Sequence, residues 1–84
     1  MNEADLYQKL NLIFRETLGN DSIALTAETT ADDVPEWDSM NHIFLVVEIE
    51  RRFGVKFQTA EMEELRNVGE LVQLILSRQA KTAA

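Results

Sequence analysis

The chain has 84 residues with no cysteine and one histidine, which excludes disulfide staples, thiolate metal sites and any cluster of histidine ligands. A net charge of -7 and a pI near 4.5 repel nucleic acid phosphates and anionic headgroups, so basic protein surfaces are the natural partners and nucleic acid is not expected. One small core is all this length can build, which argues against a roomy enzyme cleft, while a 45% hydrophobic share in periodic groups argues against a disordered tail.

Leu6, Leu10, Ile13, Phe14 and Leu18 recur at helical spacing and predict a first helix over about 3–18, stopped by Gly19 and Asn20. Residues 19–38 follow neither helical nor strand periodicity and are read as a long loop, pinned to the core through Ile23, Leu25 and Val34. Within it, Asp32, Asp33 and Glu36 lack the ligand spacing of a calcium loop, and no metal site is predicted. Residues 39–53 contain neither proline nor glycine and are followed by Gly54, which predicts a second helix despite its β-branched residues. A short helix is expected over about 59–65 and a last one over 67–80. The last opens at "NVGE", where Asn67 and Glu70 stand at the spacing of a cap and its reciprocating carboxylate. The tail "RQAKTAA" is expected to fray.

The fold class that follows is all-α: a small four-helix bundle in a single domain over 1–84, with three longer helices and one short one. No apolar run approaches the roughly 20 residues that cross a bilayer, and no basic-then-apolar leader opens the chain. Cytoplasmic residence without membrane insertion is the expectation.

The second helix has two apolar faces. Leu45, His42, Ile49, Phe53 and Val46 fall within an arc of roughly 100° that serves the core. Met40, Ile43, Phe44 and Val47 form another arc on nearly the opposite side. Two other long helices are too few to enclose the middle one fully, so this second arc is expected to be at least partly exposed for docking. Ser39 lies in the first turn, where unpaired backbone N–H groups and the positive end of the helix dipole favour a phosphate on its oxygen. By itself that position also suits an ordinary N-cap, at Asp38 or Ser39. His42 is three residues from Ser39, but a hydrolase would need an orienting acid, an oxyanion hole and a cleft, so His42 is read as a half-buried packing residue. Trp37 is read as an aromatic lid that packs the loop onto the bundle.

"EWDSM" followed by an apolar helix ending in "EIERRFGV" resembles the signature of the acyl carrier protein family, the carriers that bear phosphopantetheine. The resemblance extends along nearly the whole chain, through the order of helices to "NVGELVQLI", which is similar to an opening common in the family's last helix. It implies that Ser39 is the attachment point of a phosphopantetheine arm taken from coenzyme A by a phosphopantetheinyl transferase. It further implies that Asp38 serves recognition by that transferase, and that Met40, Ile43, Val47 and Glu50 face partner enzymes; the apolar arc adds Phe44 to that surface, and Met40, next to the serine, is expected to serve the transferase as well. The chain would then hold acyl intermediates as thioesters and deliver them to acyl- or aminoacyl-loading and acyl-transferring enzymes, as a monomer and with no catalysis of its own.

Met40 stands where the family usually has leucine, Asn41 and Phe44 stand where fatty-acid carriers are often acidic, and Arg51 and Arg52 follow Glu50. Trp37 before the motif is similar to discrete carriers of specialised pathways, aminoacyl and polyketide types among them. A stand-alone carrier of a specialised pathway is therefore the expectation. The alternative from another class is a small helical interaction or dimerisation module that uses the same apolar arc and carries no prosthetic group.

Overall fold

Polar side chains cap the helix starts, and left-handed glycines close two of the helices. The computed structural model describes the backbone of residues 2–83 and the side chains of residues 2–79. Helix α1 spans Glu3–Leu18, α2 Ser39–Phe53, α3 Thr59–Glu63 and α4 Val68–Ala83, with no strand among the described residues. Asn2 caps α1 by accepting the Asp5 N–H, and Asp38 caps α2 by accepting the Asn41 N–H. Gly19 and Gly54 close these two helices at φ 69° and 67°, left-handed conformations that cost glycine little and other residues more.

The core is the set of apolar stripes brought face to face. Leu6, Leu10, Ile13 and Phe14 of α1 meet Leu45 and Ile49 of α2 and Val68, Leu71, Val72 and Ile75 of α4, all essentially removed from solvent. Each such side chain contributes about 1.5–3 kcal/mol of burial. The all-helical fold expected from periodicity is the one observed.

The long connection between α1 and α2 is fastened at both ends and in the middle. Ile23, Leu25 and Val34 are buried as its anchors. The backbone of the loop is held by polar side chains of α1, since the Arg15 guanidinium donates to the Ile23 carbonyl at 2.7 Å and Asn11 accepts the Leu25 N–H at 2.8 Å. From the other side, the N–H groups of Val68 and Gly69, left over at the start of α4, donate to the carbonyls of Thr29 and Ala27 at 2.9 and 3.0 Å. The loop thus supplies part of the cap of the last helix.

Four details differ from the sequence reading. The segment 19–38 was expected to hold no helix, yet Ala31–Asp33 forms a 3-10 turn, because Thr30 and Asp33 satisfy each other across a capping box too short to show periodicity. Helix α3 stops at Glu63 rather than 65, since Arg66 has its N–H taken by the Glu70 carboxylate at 2.8 Å and the chain is already turning into α4. Asn67 does accept the Glu70 N–H, at 2.9 Å, but Glu70 reaches back to Arg66 rather than to Asn67. The backbone of α4 continues to Ala83, past the expected end at 80, and the remaining part of the fraying tail lies outside the described residues.

Candidate functional site

Ser39 is the first residue of α2 and is exposed, as are Asp38 and Met40 beside it. Asp38 turns its carboxylate inward over the helix end, accepting the Asn41 N–H at 2.8 Å, while its carbonyl accepts the His42 N–H at 2.8 Å. That leaves the N–H groups of Ser39 and Met40 with no acceptor among the described residues. Two free donors, the positive end of a helix of 15 residues and an exposed hydroxyl therefore stand together. This donor set fits a phosphate ester on the Ser39 oxygen. It does not fit a nucleophile activated in place. His42 lies one turn further along, but its Nδ1 is occupied by the indole N–H of Trp37 at 3.0 Å.

The helix behind the serine is two-faced, as its sequence pattern predicts. Leu45 and Ile49 are buried, with Val46 and Phe53 packed against the core, whereas Met40, Ile43, Phe44 and Val47 are between 53% and 68% exposed. These four side chains make up most of the large exposed hydrophobics of the described chain; only Leu12 of α1 joins them. Four large apolar side chains thus lie open to solvent on the helix that begins at the exposed serine.

Charge on this helix is spent internally. Glu48 is paired with Arg51 at 3.4 Å and with Arg52 at 3.1 Å, and Arg52 also reaches Glu16 of α1 at 3.0 Å. Glu50, one of the positions that the resemblance implies face partners, is half-buried, and its carboxylate accepts the Phe57 N–H at 2.8 Å, fastening the connection between α2 and α3. The two arginines balance the two glutamates, so α2 is neutral in a chain of net charge -7.

Trp37 performs the packing role read from the sequence, with a polar addition. Its indole lies edge-on against Phe14 of α1, centroids 5.0 Å apart at 88°. No local pattern signals its bond to His42, because donor and acceptor are brought together only when the loop folds over the helix. Burial in this contact pushes the His42 pKa below the ordinary histidine value. Asp32 and Asp33 remain exposed in the 3-10 turn and Glu36 is engaged by Asn20 at 3.2 Å, and no group of metal-ligating side chains is found among the described residues.

The family model described as "Phosphopantetheine attachment site" matches residues 8–75, a span that contains Ser39. An acyl carrier protein of Thermotoga maritima is 34% identical over 71 residues, covering 84% of this chain and 88% of the relative. An acyl carrier protein of Rubrobacter xylanophilus is 29% identical over 79 residues, covering 94% and 98%. Among solved structures, a holo acyl carrier protein of Geobacter metallireducens superposes with a TM-score of 0.86 at 39% identity, covering 92% of this chain and 88% of that one. A second acyl carrier protein structure, from Thermotoga maritima, has the same fold with a TM-score of 0.86 at 24% identity, covering 98% and 95%.

Proposed function

Because the chain belongs to the acyl carrier protein family, whose members carry phosphopantetheine and have no catalysis of their own, we propose that Ser39 is the residue that bears the arm. The observation that carries this reading is the exposed Ser39 hydroxyl at the start of α2, beside the free N–H groups of Ser39 and Met40. When attached, phosphopantetheine supplies a terminal thiol that holds an acyl group as a thioester. The chain's own residues do the rest. The N–H groups and helix dipole stabilise the anionic diester, and Asp38 fixes the turn that presents it. A flexible arm on a rigid body raises the effective concentration of its cargo wherever the body docks.

Asp38 and Met40 flank the serine and are the residues through which a phosphopantetheinyl transferase would recognise it. Met40, Ile43, Phe44 and Val47 form the face for partner enzymes, with Glu50 at its rim, pinned by the Phe57 N–H. The partners are enzymes that load and transfer acyl or aminoacyl groups. A specialised pathway is favoured over housekeeping fatty acid synthesis by the neutrality of α2, whose glutamates are already engaged by Arg51, Arg52 and the Phe57 backbone. The chain acts as a monomer in the cytoplasm; no described helix is long and apolar enough to cross a membrane.

Intact-protein mass spectrometry tests the assignment. Incubation with coenzyme A and a broad-specificity phosphopantetheinyl transferase is expected to add one arm to the wild type and nothing to Ser39→Ala. An unshifted wild type beside a loaded control carrier, or a shifted Ser39→Ala, would overturn it.

A further inference from the structure

The residues just before Ser39 are tied to the residues just after it. Asn41 donates its side-chain amide to the Glu36 carbonyl at 2.8 Å, and His42 accepts the Trp37 indole N–H at 3.0 Å. Each bond joins residues five apart, and the two together straddle the serine. Both are backed from α1 and the loop. Phe14 meets the edge of the Trp37 ring at 5.0 Å, and Asn20 donates to both Glu36 carboxylate oxygens at 3.2 and 3.3 Å.

Starting the helix requires neither bond. Asp38 caps α2 alone, by accepting the Asn41 N–H at 2.8 Å, and a cap of that kind leaves the residues before it free to swing. The Asn41 amide and the His42 ring act instead on the path of the chain into the cap. With residues 36 and 37 clasped, the Asp38-Ser39-Met40 turn has one approach and therefore one presentation to an enzyme.

We infer that Asn41 and His42 are positioning residues for attachment of the arm: by clasping Glu36 and Trp37 they preform the turn that the modifying transferase must recognise. This rests on Ser39 being the attachment residue. The clasps act on the free carrier, before the transferase binds. Losing one lowers the fraction of chains that are ready to bind, and the observed affinity falls in the same proportion while turnover of the bound complex stays the same.

The test compares wild type, Asn41→Ala, His42→Leu and His42→Gln as apo proteins, loaded from coenzyme A by a broad-specificity phosphopantetheinyl transferase. Initial rates are followed by mass spectrometry at a temperature where circular dichroism shows every variant folded. Alanine removes the amide donor and favours the helix, so Asn41→Ala keeps the test informative even where a ring substitution disturbs packing. KM is expected to rise about three- to tenfold in Asn41→Ala and His42→Leu with kcat within about twofold of wild type. His42→Gln, which retains an acceptor for the indole, is expected to recover most of the wild-type KM. A KM within about twofold of wild type in both Asn41→Ala and His42→Leu, or a loss confined to kcat, overturns the inference. A wild type that is never loaded overturns the Ser39 assignment itself, and the positioning role with it.

Discussion

Trp37 donates its indole N–H to Nδ1 of His42 at 3.0 Å, with the two rings 17° from parallel and their centroids 6.1 Å apart. The bond fixes the state of the imidazole. With Nδ1 accepting, the ring proton sits on Nε2, and a second proton has no place without breaking the contact. The joint between the loop and the serine-bearing helix therefore contains the chain's only tryptophan and its only histidine.

A pH dependence follows from that joint. Burial holds the His42 pKa below its ordinary value of about 6.5. Above that pH the ring is neutral in folded and unfolded chains alike, and the shift contributes nothing to stability. As the pH drops below about 6.5 the unfolded chain takes up a proton that the folded chain still refuses, so stability declines until the folded pKa is passed and then levels off. The slope stays under about 1.4 kcal/mol per pH unit, since one proton is involved and the ring is partly solvated. Thermal melts between pH 8 and 5.5 should show this decline in the wild type and not in His42→Gln. Trp37 fluorescence should change over the same range as its partner becomes charged.

Glu50 ties α2 to the connection that follows it. Its carboxylate accepts the Phe57 N–H at 2.8 Å from a half-buried position. Glu50→Ala should lower stability by about 1–2 kcal/mol, with hydrogen exchange accelerated at Phe57 before it is at α1 or α4. Unchanged exchange at Phe57 would show that the bond does not hold the segment.

Gly69 lies in the first turn of α4 against the loop, and a Cβ there would come within 3.0 Å of the Ala27 carbonyl oxygen and 3.1 Å of the Ala27 Cβ. Alanine would ordinarily gain about 1 kcal/mol inside a helix. Here the same loop carbonyl accepts the Gly69 N–H at 3.0 Å, so the loop cannot withdraw without losing that bond. Gly69→Ala is expected to destabilise by about 1 kcal/mol net, read from denaturant midpoints at constant m-value. A stabilised variant would mean that the loop yields more readily than its anchors suggest.

The exposed arc of α2 carries the strongest consequence for partners. Phe44 is 54% exposed, so Phe44→Glu should leave the melting temperature within a few degrees of wild type. It should weaken productive docking about tenfold or more, measured as KM for loading by the transferase and later for any acyl-loading partner. Because the glutamates of α2 are already engaged, docking should depend only weakly on salt. Steep salt dependence combined with an indifferent Phe44→Glu would move the interface to the acidic surface elsewhere on the chain.

Sequence periodicity carried the fold because each long helix has a stripe of large apolar residues, and a stripe has only one way to be buried. Leu6 to Leu18, and Leu45 with Ile49, are legible for that reason. The second arc of α2 was legible too, since Met40, Ile43, Phe44 and Val47 have helical spacing whether or not anything covers them. The 3-10 turn at Ala31–Asp33 was not, because three residues contain no period. The anchoring bond of Glu50 was not legible, because its partner is a backbone N–H seven residues on and backbone donors carry no sequence identity.

The order of amino acids by itself determined four helices, an exposed-or-buried choice for each face, and a serine at a helix start, since these depend on spacing along a few turns. Tertiary structure alone decided that the loop returns over that start, so that Asn41 meets Glu36, His42 meets Trp37, and Ala27 and Thr29 cap α4. Those contacts join groups whose meeting depends on where Ile23, Leu25 and Val34 sink into the core, and burial of an irregular segment is fixed by the shape of the space left between helices rather than by any local pattern.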